Sequence, residues 1–191
     1  FDVGDYDLAL ESYLAALAIF EALAEPVEIA KTRANIANVY QTTDRLPQAI
    51  EYHREALREF ERARVPIGVA GSALNLGAAL VALAETGSAD GAAASAMLDE
   101  ATVNYRKSLE IFRALDIPRG ILKAESNLAA VQQRLGDLDA AVAGFTRTRA
   151  GAAAIGDHLE EAVALRKLMD LEASRDRYAE SLVHAQAGIA I

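Results

Sequence analysis

Residues 4–20 read GDYDLALESYLAALAIF, and residues 44–60 read DRLPQAIEYHREALREF. The two segments align without a gap at an offset of 40 residues, so that Ala9 falls on Ala49. Three further copies follow at offsets of 52, 40 and 40 residues. Self-similarity at a fixed period is typical of a repeat architecture, in which each copy is one small structural unit.

A second set of related segments lies between these copies and reads ANIANVY, LNLGAAL, SNLAAVQ and RKLMDLE. Both sets place apolar residues at i, i+3, i+4 and i+7, the spacing of an amphipathic helix. Residues typical of helix ends and turns lie between these segments, namely Asp44, Asp116, Pro118, Gly136 and Asp137. We expect Gly at helix C-termini, Asp as helix N-caps and Pro in first turns. The predicted unit is helix A, a turn, helix B and a second turn.

The composition excludes several classes of protein. The chain has 191 residues, 19 of them Lys or Arg and 28 Asp or Glu, and it has no Cys. A chain without Cys has no disulfide framework, thiolate zinc site or cysteine nucleophile. The net charge of −9 argues against a nucleic-acid-binding surface, which needs a basic footprint. We find no phosphate-binding, dinucleotide-binding or hydrolase motif, and His53, His158 and His184 lie far apart. We therefore expect no catalytic, cofactor-binding or metal-binding residue and no enzymatic activity.

Membrane spans and targeting signals are not expected either. We expect no uncharged apolar stretch of about 18 residues, the length that a membrane span needs. No basic region precedes an apolar one, so a signal peptide is not predicted. Together with the absence of Cys, this favours a cytoplasmic location. The chain opens at Phe1 rather than Met, so we expect a piece of a longer protein.

The repeat pattern resembles the tetratricopeptide repeat. The resemblance rests on Asn-Leu-Gly at residues 75–77 in a helix A, and on Gly-Asp-Tyr at residues 4–6 followed by Ala9 in a helix B. The period of 40 differs from the usual 34 and is similar to that of kinesin light chains and of arrays in large bacterial signalling proteins. The usual helix A Trp is replaced by Arg33, Ala73, Glu125 and Leu165.

The resemblance implies an all-α fold, a right-handed α-solenoid of antiparallel helix pairs. We expect one domain over residues 1–191, with a helix B at 4–24 and repeats at about 26–64, 66–116, 118–155 and 157–191. The second repeat has an insertion at residues 86–95, TGSADGAAAS, in its turn from helix A to helix B. A neutral surface insertion is the favoured interpretation, and a docking loop is the alternative.

In such a solenoid the A helices line a concave groove. Asn35, Asn75 and Asn127 occupy one equivalent helix A position, and an Asn amide can pair with both the N–H and the C=O of a peptide. Similar asparagine ladders occur in O-GlcNAc transferase and kinesin light chain. The alternative is that these residues are merely solvated. With the cations on the same face, the candidate peptide-binding residues are Lys31, Asn35, Asn38, Asn75, Lys123, Asn127, Arg134, Arg166 and Lys167.

The sequence thus predicts a protein-interaction scaffold. The expected partner is an extended peptide, acidic or ending in a carboxylate, or a partner domain. One alternative is the sensor or regulatory arm of a bacterial signalling protein or transcription regulator, acting within a larger chain. Another is self-association through exposed end helices into a homo-oligomer.

Overall fold

The computed structural model describes residues 3–87, 90–174, 183–185 and 188, and within these ranges the chain is helical without strands. A and B helices alternate as predicted, so the all-α fold class is confirmed. The predicted fifth helix B, at residues 176–189, lies mostly outside the described residues. The helices are α1 (Val3–Ala22), α2 (Pro26–Thr42), α3 (Leu46–Arg62), α4 (Pro66–Glu85), α5 (Gly91–Ala114), α6 (Pro118–Arg134), α7 (Leu138–Ile155) and α8 (His158–Ser174).

Each A helix begins at an equivalent place in its repeat. The starts of α2, α4, α6 and α8 are spaced by 40, 52 and 40 residues. Pro26, Pro66 and Pro118 lie in the first turns of α2, α4 and α6. Proline suits this position because the first N–H groups of a helix have no partner within it. The repeat therefore uses Pro to set the start of helix A.

The turns between helices have a common feature, which is a residue with a left-handed backbone conformation. In the turn from α5 to α6, the Ile117 N–H donates to the Phe112 carbonyl oxygen at 2.9 Å, and Asp116 between them has a φ of 51°. Asp44 has a φ of 59° in the turn from α2 to α3. The prediction that Asp44 and Asp116 are N-caps is therefore wrong, because both residues close the preceding helix in the manner of a Schellman motif. Asp137 is an N-cap as predicted, since its carboxylate accepts a backbone N–H three residues on at 3.2 Å.

The insertion in the second repeat lengthens two helices. Helix α4 has 20 residues where α2 and α6 have 17, and α5 has 24. Helix α5 begins at Gly91, and Asp90 caps it by accepting the Ala93 N–H at 2.8 Å. The prediction of a turn over residues 86–95 is therefore wrong for residues 91–95, which form the start of α5.

The chain forms two compact units, Phe1–Ile111 and Phe112–Ile191. One domain over the whole chain stays a prediction. The first unit contains a buried cluster of Leu10, Leu17, Ile36 and Val39. The second unit contains a buried cluster of Ala129, Ala141, Phe145, Leu168 and Leu171.

Aromatic rings of B helices pack directly on the backbone of A helices. A Cβ added at Gly77 in α4 would lie 2.7 Å from the ring of Tyr105 in α5. In the second unit, a Cβ at Gly120 in α6 would lie 2.6 Å from the ring of Phe112. A side chain at either glycine would have to displace a ring, so the small residue fixes how closely the helices approach.

Helix α4 contradicts one expectation from the sequence. No residue from Pro66 to Ala84 is charged, and by length and composition this helix is apolar enough to cross a membrane. Half of its most apolar window is buried against the rest of the protein. Core helices of soluble proteins also meet these criteria, so the observation is weak evidence for a span.

Candidate functional site

The asparagines of the first unit lie at least partly at the surface of the A helices. Asn35 and Asn38 are exposed on α2, and Asn75 is half-buried on α4. Asn75 Nδ2 donates a hydrogen bond to Asn38 Oδ1 at 3.2 Å. The structure thus brings Asn38 and Asn75 together across neighbouring A helices. Sequence reasoning placed both on one face but did not foresee their bond.

The predicted cation of the first unit already has a partner. Lys31 Nζ lies 2.7 Å from Glu28 Oε1, one turn earlier on the exposed surface of α2. An exposed pair of this kind contributes about 0.5 kcal/mol at most, so a ligand could displace it. Lys31 is nevertheless a weaker site for an acidic ligand than an unpaired lysine, because the glutamate would stay nearby.

The second unit carries cations of a different kind. Lys123 is exposed on α6, one turn before the half-buried Asn127, while Arg166 is exposed and Lys167 half-buried on α8. No ion pair joins Lys123, Arg166 or Lys167 to another described residue. Arg134 instead lies at the C-terminal end of α6, where its Nη1 donates to the Ala130 carbonyl oxygen at 3.0 Å. We therefore assign Arg134 chiefly to stabilising the helix end.

A cavity of about 410 Å³ lies beside Lys123, between the first turns of α6 and α8. It contains side chains of both charges, and Arg119 Nε lies 3.8 Å from Asp157 Oδ2. Asp157 also caps α8, because its carboxylate accepts the Glu160 N–H at 3.3 Å. The cavity is lined by Arg119, Leu122, Lys123, Asp157, Leu159 and Glu160.

A charge cluster that sequence reasoning missed occupies the position of the usual helix A Trp. In the first unit, the Arg33 guanidinium lies 2.9 Å from Glu21 in α1, and 3.3 and 3.5 Å from Glu55 and Glu59 in α3. The Arg33 side chain is only 19% exposed. One A helix is thus joined electrostatically to the B helices on both sides of it.

The equivalent cluster of the second unit has reversed charges. Glu125 in α6 is buried, and its carboxylate pairs with Arg113 in α5 and, at 3.8 Å, with Arg147 in α7. These three residues stand 92 positions after Arg33, Glu21 and Glu55.

The intervening repeat has Ala73 at the central position of the cluster, where Arg33 and Glu125 stand in the other two repeats. There the two flanking residues pair directly, with Lys107 Nζ 2.7 Å from Glu61 Oε1. The signal was in the sequence, because the aligned positions carry complementary charges in three of the four repeats.

His53 is part of the core. It is fully buried on α3, and neither ring nitrogen has a hydrogen-bond partner among the described residues. Burial lowers the pKa of His53 from 6.5 to about 4, because a charged imidazolium would lose its hydration. His53 thus packs where other B helices carry an aromatic ring. Within the described ranges, no three His, Cys, Asp or Glu side chains form a group that could hold a metal ion.

Comparison with known proteins supports the repeat assignment. The family model described as tetratricopeptide repeat matches residues 1–62. No curated protein sequence matches the chain.

Three solved structures are similar to the chain. BtubC (BKLC) from P. vanneervenii has a TM-score of 0.85 at 18% identity, covering 98% of this chain and 73% of its own. A Rap protein complexed with Competence and Sporulation Factor has a TM-score of 0.75 at 18% identity, covering 98% of this chain and 49% of its own. The Rap conjugation gene regulator of a plasmid, in complex with a Phr peptide, has a TM-score of 0.62 at 17% identity, covering 98% and 50%.

At these identities the structural likeness defines the fold alone, and the chain spans about half the length of the two Rap proteins. The match at residues 1–62 and the likeness over 98% of the chain agree with the repeat units seen in the sequence and the structure. Residues 1–62 thus match the tetratricopeptide repeat model, and the chain has the helical-repeat fold of these solved structures.

Proposed function

We propose that the chain is a protein-interaction scaffold, which binds a protein or peptide on the exposed face of its A helices and catalyses no reaction. The ligand we favour is an extended, acidic peptide. The observation that carries the proposal is the hydrogen bond between Asn75 and Asn38, which spans two neighbouring A helices. The two Rap structures that share the fold are complexes with a factor and with a peptide, which supports this class of partner. A cytoplasmic location stays a prediction.

The bonded asparagines suit a peptide backbone. The bond to Asn38 uses one N–H of Asn75, so the other N–H and the amide oxygen of Asn75 remain available, as do both N–H groups of Asn38. The bond also holds the two amides in one orientation before a ligand arrives. A pre-organised site loses less side-chain entropy on binding than one whose side chains are free.

The charges of the second unit favour an acidic ligand. Lys123 and Lys167 lie on neighbouring A helices of a chain whose net charge is −9, and no described carboxylate forms an ion pair with either. An acidic segment would be repelled by most of this surface and attracted to these two side chains. Two positive side chains on a negatively charged surface steer an acidic ligand and fix its register more than they raise its affinity.

Isothermal titration calorimetry with two synthetic peptides tests the proposal. One is rich in Asp and Glu, the other is neutral, and both are extended and of equal length. We expect the acidic peptide to bind more tightly at low salt and to lose affinity as the salt concentration rises. Asn75→Ala combined with Asn127→Ala should weaken binding by about thirtyfold, because each of the two lost amide contacts contributes about 1 kcal/mol. The melting temperature should stay nearly unchanged, since these residues are not in the core.

Two control variants on B helices match these changes. Gln48→Ala removes an exposed amide from α3, and Arg106→Gln removes an exposed cation from α5. Both should bind the acidic peptide as the unaltered chain does, whereas Lys123→Gln with Lys167→Gln should abolish the salt dependence. Equal losses from the B-helix and A-helix variants would refute the placement of the site. No binding to either peptide would favour a role within a larger chain or in self-association.

A further inference from the structure

The cavity of about 410 Å³ between the first turns of α6 and α8 has the size of a small-molecule site. Pockets that hold small ligands have volumes of about 300–1,000 Å³. Leu122 of α6 is buried beneath this cavity, whereas Leu159 of α8 borders it and is 77% exposed. The peptide proposed above does not account for this space, because Lys123 is the one residue that both sites share.

The charged side chains that line the cavity balance each other. Arg119 and Lys123 lie one turn apart on α6. Asp157 and Glu160 lie at the start of α8. Arg119 Nε is 3.8 Å from Asp157 Oδ2, and the Arg119 side chain is 85% exposed, so this contact is a weak ion pair. Lys123 and Glu160 form no ion pair with a described residue. The lining therefore offers two positive and two negative groups to a ligand, at little cost in lost ion pairing.

Three of these charges are specific to the second unit. The equivalent residues of the first unit, 92 positions earlier, are uncharged. They are Val27, Val65 and Gly68, in the places of Arg119, Asp157 and Glu160 respectively. Helices α2 and α4 form with these uncharged residues, so the repeat itself does not require the charges. Asp157 has a structural role as the cap of α8, but Arg119 and Glu160 have no such role.

The arrangement of the charges favours a ligand that carries two opposite charges close together. An α-amino acid has its ammonium group and its carboxylate on one carbon, and the Arg119 and Asp157 groups that would bind them are 3.8 Å apart. One end of a peptide carries only one of these charges. An acidic segment would meet Asp157 and Glu160 as like charges, which is unfavourable.

The apolar residues of the cavity favour an aliphatic side chain on this ligand. A single exposed leucine is ordinary, but Leu159 lies beside the four ionic groups and above the buried Leu122. A ligand side chain that packs on these two leucines removes apolar surface from water on both partners.

We propose that the cavity binds a free aliphatic α-amino acid as a zwitterion. Its carboxylate accepts hydrogen bonds from Arg119 and Lys123. Its ammonium group donates hydrogen bonds to Asp157 and Glu160. The ligand and the lining are each neutral overall, so binding depends on the salt concentration less than the binding of an acidic peptide does. This site goes beyond the peptide site and does not require it.

L-leucine is the probe, and an NMR titration of the isotope-labelled whole chain measures its binding. We expect saturable shifts of the amide signals of residues 119–123 and 157–160, at millimolar concentrations or below. N-acetyl-L-leucine lacks the ammonium group and L-leucinamide lacks the carboxylate. Each should bind about tenfold more weakly, because it loses hydrogen bonds to charged side chains. Glycine should also bind about tenfold more weakly, because it has no side chain to cover Leu159.

Two variants of the chain test the two ends of the ligand separately. Arg119→Gln should weaken the binding of L-leucine about tenfold and leave the weak binding of L-leucinamide unchanged, because this derivative has no carboxylate. Glu160→Gln should weaken the binding of L-leucine by a similar factor and leave that of N-acetyl-L-leucine unchanged. The melting temperature should stay nearly the same in both variants, since neither side chain is in the core.

Matched control variants lie on α3 of the first unit. Arg58→Gln removes an exposed cation, and Glu51→Gln removes an exposed carboxylate. Both should bind L-leucine as the unaltered chain does.

The absence of saturable shifts at the cavity would overturn the proposal, as would N-acetyl-L-leucine that binds as tightly as L-leucine. A variant that weakens all the ligands by the same factor would overturn the assignment of its residue to one end of the ligand. None of these variants changes Lys123 or an asparagine of the peptide site. Failure of this test therefore leaves the peptide proposal standing, and failure of the peptide titration leaves this proposal standing.

Discussion

His53 makes the stability of the chain depend on pH in a way that can be calculated. The ring is fully buried, and its pKa is lowered from 6.5 to about 4 by the loss of hydration. In the unfolded chain the ring takes up a proton as the pH falls through 6.5, whereas the folded chain takes it up only near pH 4. Between these values the unfolded state binds more protons, so the free energy of unfolding must decrease as the pH is lowered.

The size of the effect follows from the two pKa values. At about pH 4.5 the unfolded ring is almost fully protonated and the folded ring mostly neutral, which lowers the free energy of unfolding by about 2.5 kcal/mol relative to pH 7. Replacing the ring, His53→Phe, removes this term. Phenylalanine fits the repeat, because Phe145 of α7 occupies the equivalent position in the buried cluster with Ala129. At neutral pH the variant should also be more stable, since two buried nitrogens without partners are removed.

Urea unfolding followed by far-ultraviolet circular dichroism measures both effects. The loss of stability between about pH 7 and pH 4.5 should be about 2.5 kcal/mol smaller for His53→Phe than for the unaltered chain. Acidic residues titrate in both proteins and cancel in this difference. His158→Gln is the control for the loss of a histidine as such, because that side chain is exposed. Equal losses for His53→Phe and the unaltered chain would refute the assignment, as would an imidazole NMR signal for His53 that titrates near its ordinary pKa.

Two further predictions concern packing and buried charge. Gly77→Ala should lower the free energy of unfolding by about 1–3 kcal/mol, because the added Cβ would displace the Tyr105 ring. Gly71→Ala should raise it by about 0.5–1 kcal/mol, because a Cβ at Gly71 would have no atom within 4 Å and alanine favours the helix. Urea unfolding would measure both, and similar changes would contradict the packing argument. Arg113→Met with Arg147→Met should cost about 3 kcal/mol by leaving Glu125 buried without a partner, while Glu125→Leu should cost less than about 1 kcal/mol. The reverse order of the two melting temperatures would show that the cluster does not depend on burial of the carboxylate.

The repeat pattern predicted the fold because each helix is encoded by local periodicity and the same unit recurs. Prolines at the helix A starts agree with this local code. The turns were harder, because Asp is common both as an N-cap and in the left-handed conformation, and only the backbone path distinguishes Asp44 from Asp137. The prediction of a turn failed at residues 91–95, because an alanine-rich segment next to Gly is compatible with both a loop and a helix.

The candidate site was predictable only to the level of a helix face. Periodicity placed Asn38 and Asn75 on exposed sides of their helices, but their mutual bond depends on how two helices lie side by side. The same limit applies to Lys31, because its ion pair with Glu28 depends on the rotamers of both side chains. The charge clusters are a different case, because Arg33 and Glu125 stand at the same repeat position with opposite signs and so do their partners. Comparison of aligned charges between repeats would have found these contacts without a structure.

These clusters also imply that the repeats are not interchangeable, although they share one helical pattern. An A helix with Arg at the central position needs acidic neighbours, and α2 has them in Glu21 and Glu55. The same helix in the place of α6 would put its arginine between Arg113 and Arg147, where like charges repel each other in a partly buried site. Hydrophobic burial stabilises any stacking of such helices, because the apolar positions are alike in every repeat. Charge at this one position therefore distinguishes α2 from α6, although the two helices share one apolar pattern.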